Sequence, residues 1–497
     1  MAKRKVVDEF GNIHFLSRKI GQGGQGAVFL TDDPTLAVKC VLDDNENPIV
    51  DAQSIENYNK AFKRIKMYPI PDDISIAKPD ALLKSCVGYV MALLEGMRPL
   101  TSLFPSPKDL SPKNIPDSIL PEIDDNSEDA KKIARNFIFY FKTGGVRKRL
   151  IALANAASIL SRLHAKGLVY GDVSPNNIFI SDKPYDYKIC FIDSDNIRFE
   201  SASKIGSSVY TPKYGAPEVV NGIDSMRMYG DCYAFAVTAF YVLTQMHPFE
   251  GDLFYSEDWA DANADGNDVV QKAYSGMLPW IFDENDDSNF LPKTSGFDTI
   301  SLTPDLMALF QKTFGIGRSN GHERPPVFHW LKPLLKAADS TLMCQHCHGT
   351  FYKGDFMGNS QKCPFCDTPM PSFFGFESEA YKNQIHKWSF FRECPNGEFE
   401  VDLPYRLFSD IDSSSFDECV LKITKNRDGV YIQNMKSESF EIKVAFDGDD
   451  YGRFFPLTCE KFEITKSCLN KEWFIYAKSG TSRLVRCSYN KGGYDEF

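Results

Sequence analysis

The chain has 497 residues, 43% of them hydrophobic, with a formal net charge of −11. That length exceeds one typical domain and predicts about three, and the acidic balance argues against a general nucleic-acid or membrane-surface binder, which needs clustered Lys and Arg. No apolar run reaches the roughly 18 residues of a spanning helix. The segment Met1–Glu9 turns acidic before any apolar stretch, so no secretory signal is expected and a cytoplasmic setting is. Thirteen cysteines fit that setting if four bind metal and most others stay reduced and buried; an odd count weakens a complete disulfide framework.

The first informative stretch is Ile20-Gly21-Gln22-Gly23-Gly24-Gln25-Gly26-Ala27-Val28, flanked by β-prone residues. Glycines in a hairpin let the backbone approach phosphates that a Cβ would push away, although such a run taken alone is equally a flexible turn. Thr35-Leu36-Ala37-Val38-Lys39-Cys40-Val41 follows as a strand carrying one lysine. A lysine in an apolar strand is costly to bury unless it meets opposite charge, or else it snorkels to water. Residues 52–68 read as a helix with Ile55, Tyr58, Phe62 and Ile65 on one side, ended by Pro69. Glu56 is the one glutamate inside it, hence the expected mate of Lys39; a solvated glutamate is the bland alternative. Gly88–Gly96 reads as a buried strand ending in a connector. Residues 101–145 are rich in Pro and acidic residues and suggest a surface insertion. Residues 149–164 resume as an amphipathic helix.

Leu168-Val169-Tyr170-Gly171-Asp172-Val173-Ser174-Pro175-Asn176-Asn177-Ile178 then places an aspartate after an apolar strand and an asparagine five residues on. Asp and Asn also cluster in ordinary turns, so the weight lies in the order of the surrounding motifs. Ile189-Cys190-Phe191-Ile192-Asp193-Ser194-Asp195 supplies a second strand-end aspartate, and Thr211-Pro212-Lys213-Tyr214-Gly215-Ala216-Pro217-Glu218 lies 25 residues further on, measured from Asp193 to Glu218. Asp231, His247-Pro248-Phe249 and Glu323-Arg324-Pro325 complete the series.

In order, type and spacing this series resembles protein kinases of the eukaryotic-like bacterial Ser/Thr class. The resemblance implies an α+β bilobal kinase fold over 10–338, with an N-lobe of about 10–96 and a C-lobe of about 97–338. It implies that Gly21, Gly23, Gly24, Gly26 and Val28 cover ATP, that Ala37, Met91 and Leu93 border adenine, and that Glu95 reaches the ribose. Lys39, paired with Glu56, would hold α- and β-phosphates. Asp172 would take or orient the substrate hydroxyl, with Thr211 bonded to it; Asn177 and Asp193 would bind Mg²⁺ or Mn²⁺. Asp231 would brace the catalytic loop, and Arg324 would pair with Glu218.

Three departures from the family stand out. Tyr170-Gly171 replaces His-Arg, removing the arginine that reads a phosphorylated activation loop, although Ser201, Ser203, Ser207 and Ser208 remain modifiable. Ser174 replaces a lysine, and Asp193-Ser194-Asp195 replaces Asp-Phe-Gly. None deletes Lys39, Asp172, Asn177 or Asp193, so activity is expected.

Behind this region, Cys344-Gln345-His346-Cys347 and Cys363-Pro364-Phe365-Cys366 form two C-x₂-C knuckles 15 residues apart. The pattern reads as a zinc ribbon over 339–372 whose closed Cys₄ site is structural, with His346 and His348 as substitute ligands. Residues 373–497 show short alternating runs separated by turn residues and suggest a β-sandwich-like domain. The strand Val430–Asn434 resembles one in forkhead-associated domains, but the Gly-Arg and Ser-x-x-His phosphopeptide pattern is missing, so a plain interaction sandwich is expected. The whole arrangement resembles bacterial kinases of the YegI type and those encoded beside a von Willebrand-domain protein and a metal-dependent protein phosphatase. That resemblance implies a protein substrate, ATP, structural zinc and those two proteins as partners. A nucleotide-binding pseudokinase scaffold and a zinc-ribbon nucleic-acid module are the competing expectations.

Overall fold

A computed structural model describes residues 4–23, 26–110, 128–200, 210–256, 267–291, 295–353, 362–380, 385–394, 399–409, 418–427, 429–436, 440–444, 452–458, 460–477 and 483–492. It divides into two compact units, Met1–Phe104 with Ala152–Leu331, and Pro105–Ile151 with Lys332–Phe497. Gly24, the four candidate phosphorylation serines between 201 and 208, and Cys459 lie outside the described residues.

The first unit begins with a hairpin, β1 (Arg4–Val7) and β2 (Ile13–Leu16). An antiparallel sheet follows, built from β3 (Lys19–Gly23), β4 (Gly26–Leu30), β5 (Leu36–Cys40), β6 (Ala81–Leu82) and β7 (Gly88–Ala92) in the order β3-β4-β5-β7-β6. Period-2 alternation gives β5 two different faces. Val38 and Cys40 pack with Val6, Leu16, Leu83 and Val90 on one side. Ala37 and Lys39 take the other.

The helix Ala52–Met67 starts where Asp51 accepts a hydrogen bond from the Ser54 N–H at 2.8 Å, and it stops before Pro69. It buries Phe62 and Ile65 in a cluster with Leu82, Val87 and Tyr89; Phe62 meets the Tyr89 ring edge-on at 5.0 Å. Tyr58, expected on that apolar face, is exposed.

Short strands carry the loops of the helical part. β8 (Met97–Pro99), β10 (Ile178–Ser181) and β11 (Ile189–Phe191) form one small sheet; β9 (Leu168–Val169) and β12 (Arg198–Phe199) form another. The helix Met228–Thr244 is apolar nearly all round and is accordingly buried along most of its length. Its Phe240 ring packs edge-on against Trp280, Phe310 and Phe314.

In the second unit the stretch expected as an insertion contributes a helix, Glu128–Lys142, whose Phe141 ring lies 4.5 Å from that of Phe365. The hairpin β13 (Thr341–Met343) and β14 (Thr350–Tyr352) precedes two antiparallel sheets. One has six strands: β15 (Phe373–Ala380), β16 (His386–Glu393), β20 (Phe440–Val444), β21 (Arg453–Leu457), β23 (Trp473–Ala477) and β24 (Arg483–Asn490). The other has four: β17 (Phe399–Pro404), β18 (Cys419–Lys425), β19 (Val430–Asn434) and β22 (Phe462–Ile464). Ring contacts join the sheets, Phe374 to Phe399 at 5.7 Å and Phe455 to Phe462 at 5.6 Å.

Two largely buried carboxylates in this unit are paired with arginines. Asp339 accepts from Trp388 Nε1, Arg392 Nη2 and both Nε and Nη2 of Arg406 at 2.7–3.0 Å. Burial alone would raise its pKa; the two arginines reverse that and hold it below the ordinary value. Arg147 grips Glu393 through two nitrogens at 2.7 and 2.9 Å and donates to Thr341 as well.

Candidate active site

Register builds one wall of the site. Val28, Lys39 and Tyr89 lie opposite one another across β4, β5 and β7; Leu30, Ala37 and Met91 form the next row on the same face. Lys39 is thus carried into a buried position by a strand whose neighbours are all apolar. Its Nζ bonds Asp193 Oδ1 and lies 2.7 Å from Asp195 Oδ2. Tyr89 donates its hydroxyl to the other Asp195 oxygen at 3.0 Å. Burial pushes the Lys39 pKa down, but Asp195 and Asp193 outweigh it, and the ammonium is held above its ordinary value.

The expected Lys39–Glu56 pair does not form. Glu56 bonds Lys60 at 2.8 Å, one helical turn along, and its side chain is 62% exposed. The helix turns Phe62 and Ile65 inward, which leaves position 56 facing water, while Asp193 and Asp195 supply the countercharge instead. No signal within the helix betrays this; the signal is a carboxylate where the family carries glycine.

The Gly-rich hairpin separates two kinds of glycine. Gly26 has φ +142, and a Cβ there would sit 2.2 Å from the Cys40 carbonyl oxygen, so the fold itself requires it. A Cβ on Gly21 or Gly23 would meet nothing within 4 Å. The protein's own packing therefore gives no reason for those two. In the connector, Leu93 donates its N–H to Thr35 O at 2.8 Å, so that donor holds the chain together and is not offered to a base. Met91 packs against the Phe62–Tyr89 cluster, and Glu95 is exposed.

Asp172 follows β9 and is fixed from both sides. Its Oδ1 accepts from the Thr211 N–H at 2.7 Å and the Thr211 hydroxyl at 2.8 Å. Its Oδ2 accepts from Asn177 Nδ2 at 2.8 Å, and Asn177 also donates to the Asp172 carbonyl at 2.9 Å. Burial raises the Asp172 pKa, the Thr211 and Asn177 hydrogen bonds pull it back in part, and nearby Asp193 adds to the rise. The loop backbone is braced by Asp231, wholly buried in the helix Met228–Thr244. It accepts from Tyr170 N–H at 2.7 Å and Gly171 N–H at 2.9 Å and lies 3.1 Å from His164 Nε2.

The departures have local reasons. Gly171 has φ +94, and a Cβ there would come within 3.0 Å of the Asn196 carbonyl oxygen, so an arginine would be strained there. Tyr170 is fully buried, edge-on to Phe191 at 4.9 Å, with its hydroxyl on the Ile192 carbonyl. Ser174, also buried, lies 3.4 Å from the Thr211 hydroxyl and so forms part of the polar shell around Asp172. Asp193 adopts a left-handed backbone, φ 57 and ψ 51, which Asp tolerates better than most residues. Further out, Arg324 grips Glu218 through two 2.8 Å bonds, as expected.

In the second unit the four sulfurs of Cys344, Cys347, Cys363 and Cys366 lie within 4.8 Å of one another, with two pairs at 3.7 Å. Four thiolates about 2.3 Å from a central ion in tetrahedral array stand roughly 3.8 Å apart, so the cluster fits zinc. His346 and His348 are not among them.

Part of the chain is similar to known proteins. The family model described as protein kinase domain matches residues 141–282. Over 201 residues the chain is 31% identical to the serine/threonine-protein kinase pkn2 of Myxococcus xanthus, covering 39% of this chain and 21% of that protein. Over 112 residues it is 33% identical to the serine/threonine-protein kinase PknB of Mycobacterium tuberculosis, covering 21% of this chain and 17% of that protein. The chain thus spans about a fifth of the length of these curated relatives. The segment that carries Asp172, Asn177, Asp193 and Thr211 thus matches the protein kinase domain model and is similar to parts of bacterial serine/threonine-protein kinases.

Proposed function

We propose that the chain transfers the γ-phosphoryl group of ATP to serine or threonine hydroxyls of a protein. The observation that carries this reading is Asp172, held by Thr211 and Asn177 and braced by Asp231. In the reaction the acceptor oxygen bonds the γ-phosphorus, the β–γ bridging bond breaks to leave ADP, and Asp172 takes the hydroxyl proton. A raised pKa makes its carboxylate a better proton acceptor than an ordinary aspartate. Asn177 and Asp193 are the oxygen donors suited to Mg²⁺ or Mn²⁺, which neutralises phosphate charge when bound. Gly21, Gly23 and Lys39 suit the phosphates, and the row Leu30, Ala37, Met91 suits an adenine face.

The Cys₄ cluster is proposed as a structural zinc site and the two-sheet region behind it as a recognition domain. The loop Tyr170–Asn177 together with that cluster supports the narrower likeness to YegI-type kinases and to those encoded with a von Willebrand-domain protein and a metal-dependent phosphatase; those proteins are proposed as partners. Among the described residues no helix is long and apolar enough to cross a membrane.

The test is phosphotransfer from γ-labelled ATP by wild type and Asp172→Ala, with products located by mass spectrometry. Label on Ser or Thr in wild type and its loss in the variant is the expected result. Nucleotide binding without any transfer would instead favour a scaffold, the reading that Ser174 and the Asp193-Ser194-Asp195 sequence motivate.

A further inference from the structure

Lys39 sits where the kinase reading needs a fixed ammonium, yet Glu56 points to solvent and is occupied by Lys60. The partly buried carboxylates on Lys39 come from the turn after β11. Asp193 begins it in a left-handed conformation, and Ser194–Asn196 form a single tight turn closed by the Ile197 N–H on the Ser194 carbonyl at 3.0 Å. The chain beyond is tied down. β12 pairs with β9, and Arg198 donates to the Met226 carbonyl at 2.9 Å. Asp195 is therefore presented to Lys39 by a constrained backbone, and its second oxygen is locked by the Tyr89 hydroxyl from β7.

We infer that Asp195, oriented by Tyr89, is the positioning residue for Lys39, and that the helix Ala52–Met67 contributes no carboxylate to that ammonium. This rests on the kinase reading of the site. It has a regulatory consequence. Where a helix glutamate holds the lysine, moving the helix disconnects it directly; here the lysine, the tyrosine and the aspartate sit on β5, β7 and the turn after β11, and the helix acts on the ion pair indirectly, through Phe62 against the Tyr89 ring and its contact with the turn Ser194–Asn196. Tyr89 and Asp195 act together because a partly buried carboxylate is best held with both oxygens paired.

The test compares Asp195→Asn, Tyr89→Phe and Glu56→Gln in the full chain, with two readouts. The first is phosphotransfer, resolved into kcat and KM for ATP. Losing a charge-assisted contact to Lys39 is expected to lower kcat/KM by roughly tenfold to a hundredfold in Asp195→Asn. Tyr89→Phe, which keeps the carboxylate, is expected to fall about threefold to tenfold, and Glu56→Gln to stay within about twofold. The second readout needs no turnover: the pH dependence of Lys39 acylation by an amine-directed reagent, followed by mass spectrometry. In Asp195→Asn the modification profile moves to lower pH because an anion beside the ammonium is gone; in Glu56→Gln it stays in place.

A Glu56→Gln variant as impaired as Asp195→Asn, or an Asp195→Asn variant with unchanged Lys39 acylation, would overturn the inference. If wild type transfers no phosphate, the proposed function fails, and the acylation profiles alone still decide the role of Asp195. Should Asp195→Asn not fold, Asp195→Ala and Asp195→Ser, which also remove the anion, carry the comparison. An unmoved acylation profile in both then refutes the assignment.

Discussion

Asp231→Asn tests the brace behind the catalytic loop. Asp231 uses both oxygens on two backbone donors, Tyr170 N–H at 2.7 Å and Gly171 N–H at 2.9 Å, in a site with no solvent exposure. Asparagine is nearly isosteric but offers one acceptor oxygen; its NH₂ must face one of the two N–H groups. One charge-assisted bond worth about 1.5–3 kcal/mol is lost, and the stranded buried N–H adds about 1–3 kcal/mol. A local destabilisation of roughly 3–5 kcal/mol follows. Because it falls on two named amides, hydrogen exchange on the peptide spanning Leu168–Val173 reads it directly. Protection there is expected to drop on the order of a hundredfold or more. Phosphotransfer should fall with it, since Asp172 is the next residue and small displacements cost heavily in oriented reactions. Exchange unchanged within about threefold, with the variant folded, would refute the bracing role.

Further outcomes are expected at other positions. Thr211→Val removes a hydroxyl that holds down a pKa already raised by burial, so the acidic limb of the phosphotransfer pH profile should move to higher pH. A shift to lower pH would contradict the assignment of Asp172 as base. His247 is buried with its pKa pushed down to about 4 from 6.5, so it stays neutral in the fold. The unfolded chain takes up the proton first, and stability present above pH 6.5 is lost as pH falls toward 4, by about 3 kcal/mol at most. Denaturant titrations of wild type and His247→Gln between pH 7 and 4 measure it, the variant showing the shallower loss. Cys363→Ser should abolish one bound zinc per chain, measured by elemental analysis. It should also lower the melting temperature of the second unit, since structural zinc supplies on the order of 10–16 kcal/mol of apparent folding free energy to small sites.

Local chemistry was legible from the residues in order. The placement of Lys39 in an apolar strand, the contact of Asp172 with Asn177 and the grouping of the two C-x₂-C knuckles each follow from a few neighbours. Backbone permissiveness, desolvation cost and ligand spacing are properties of short segments. The helix Glu128–Lys142 was less legible, because its apolar spacing follows a run of Pro and acidic residues that reads as an exposed insertion.

What only the tertiary structure decided is which charges meet. Glu56 and Asp195 were both available to Lys39, and sequence distance does not choose between them. The choice follows from which face of the helix Ala52–Met67 is buried and from how the turn Ser194–Asn196 is anchored. Gly171 likewise looks like the loss of an arginine until the Asn196 carbonyl is seen 3.0 Å from where its Cβ would stand. Residue type and spacing determine what chemistry a segment can supply; burial and backbone approach, set by the fold as a whole, determine which partner receives it.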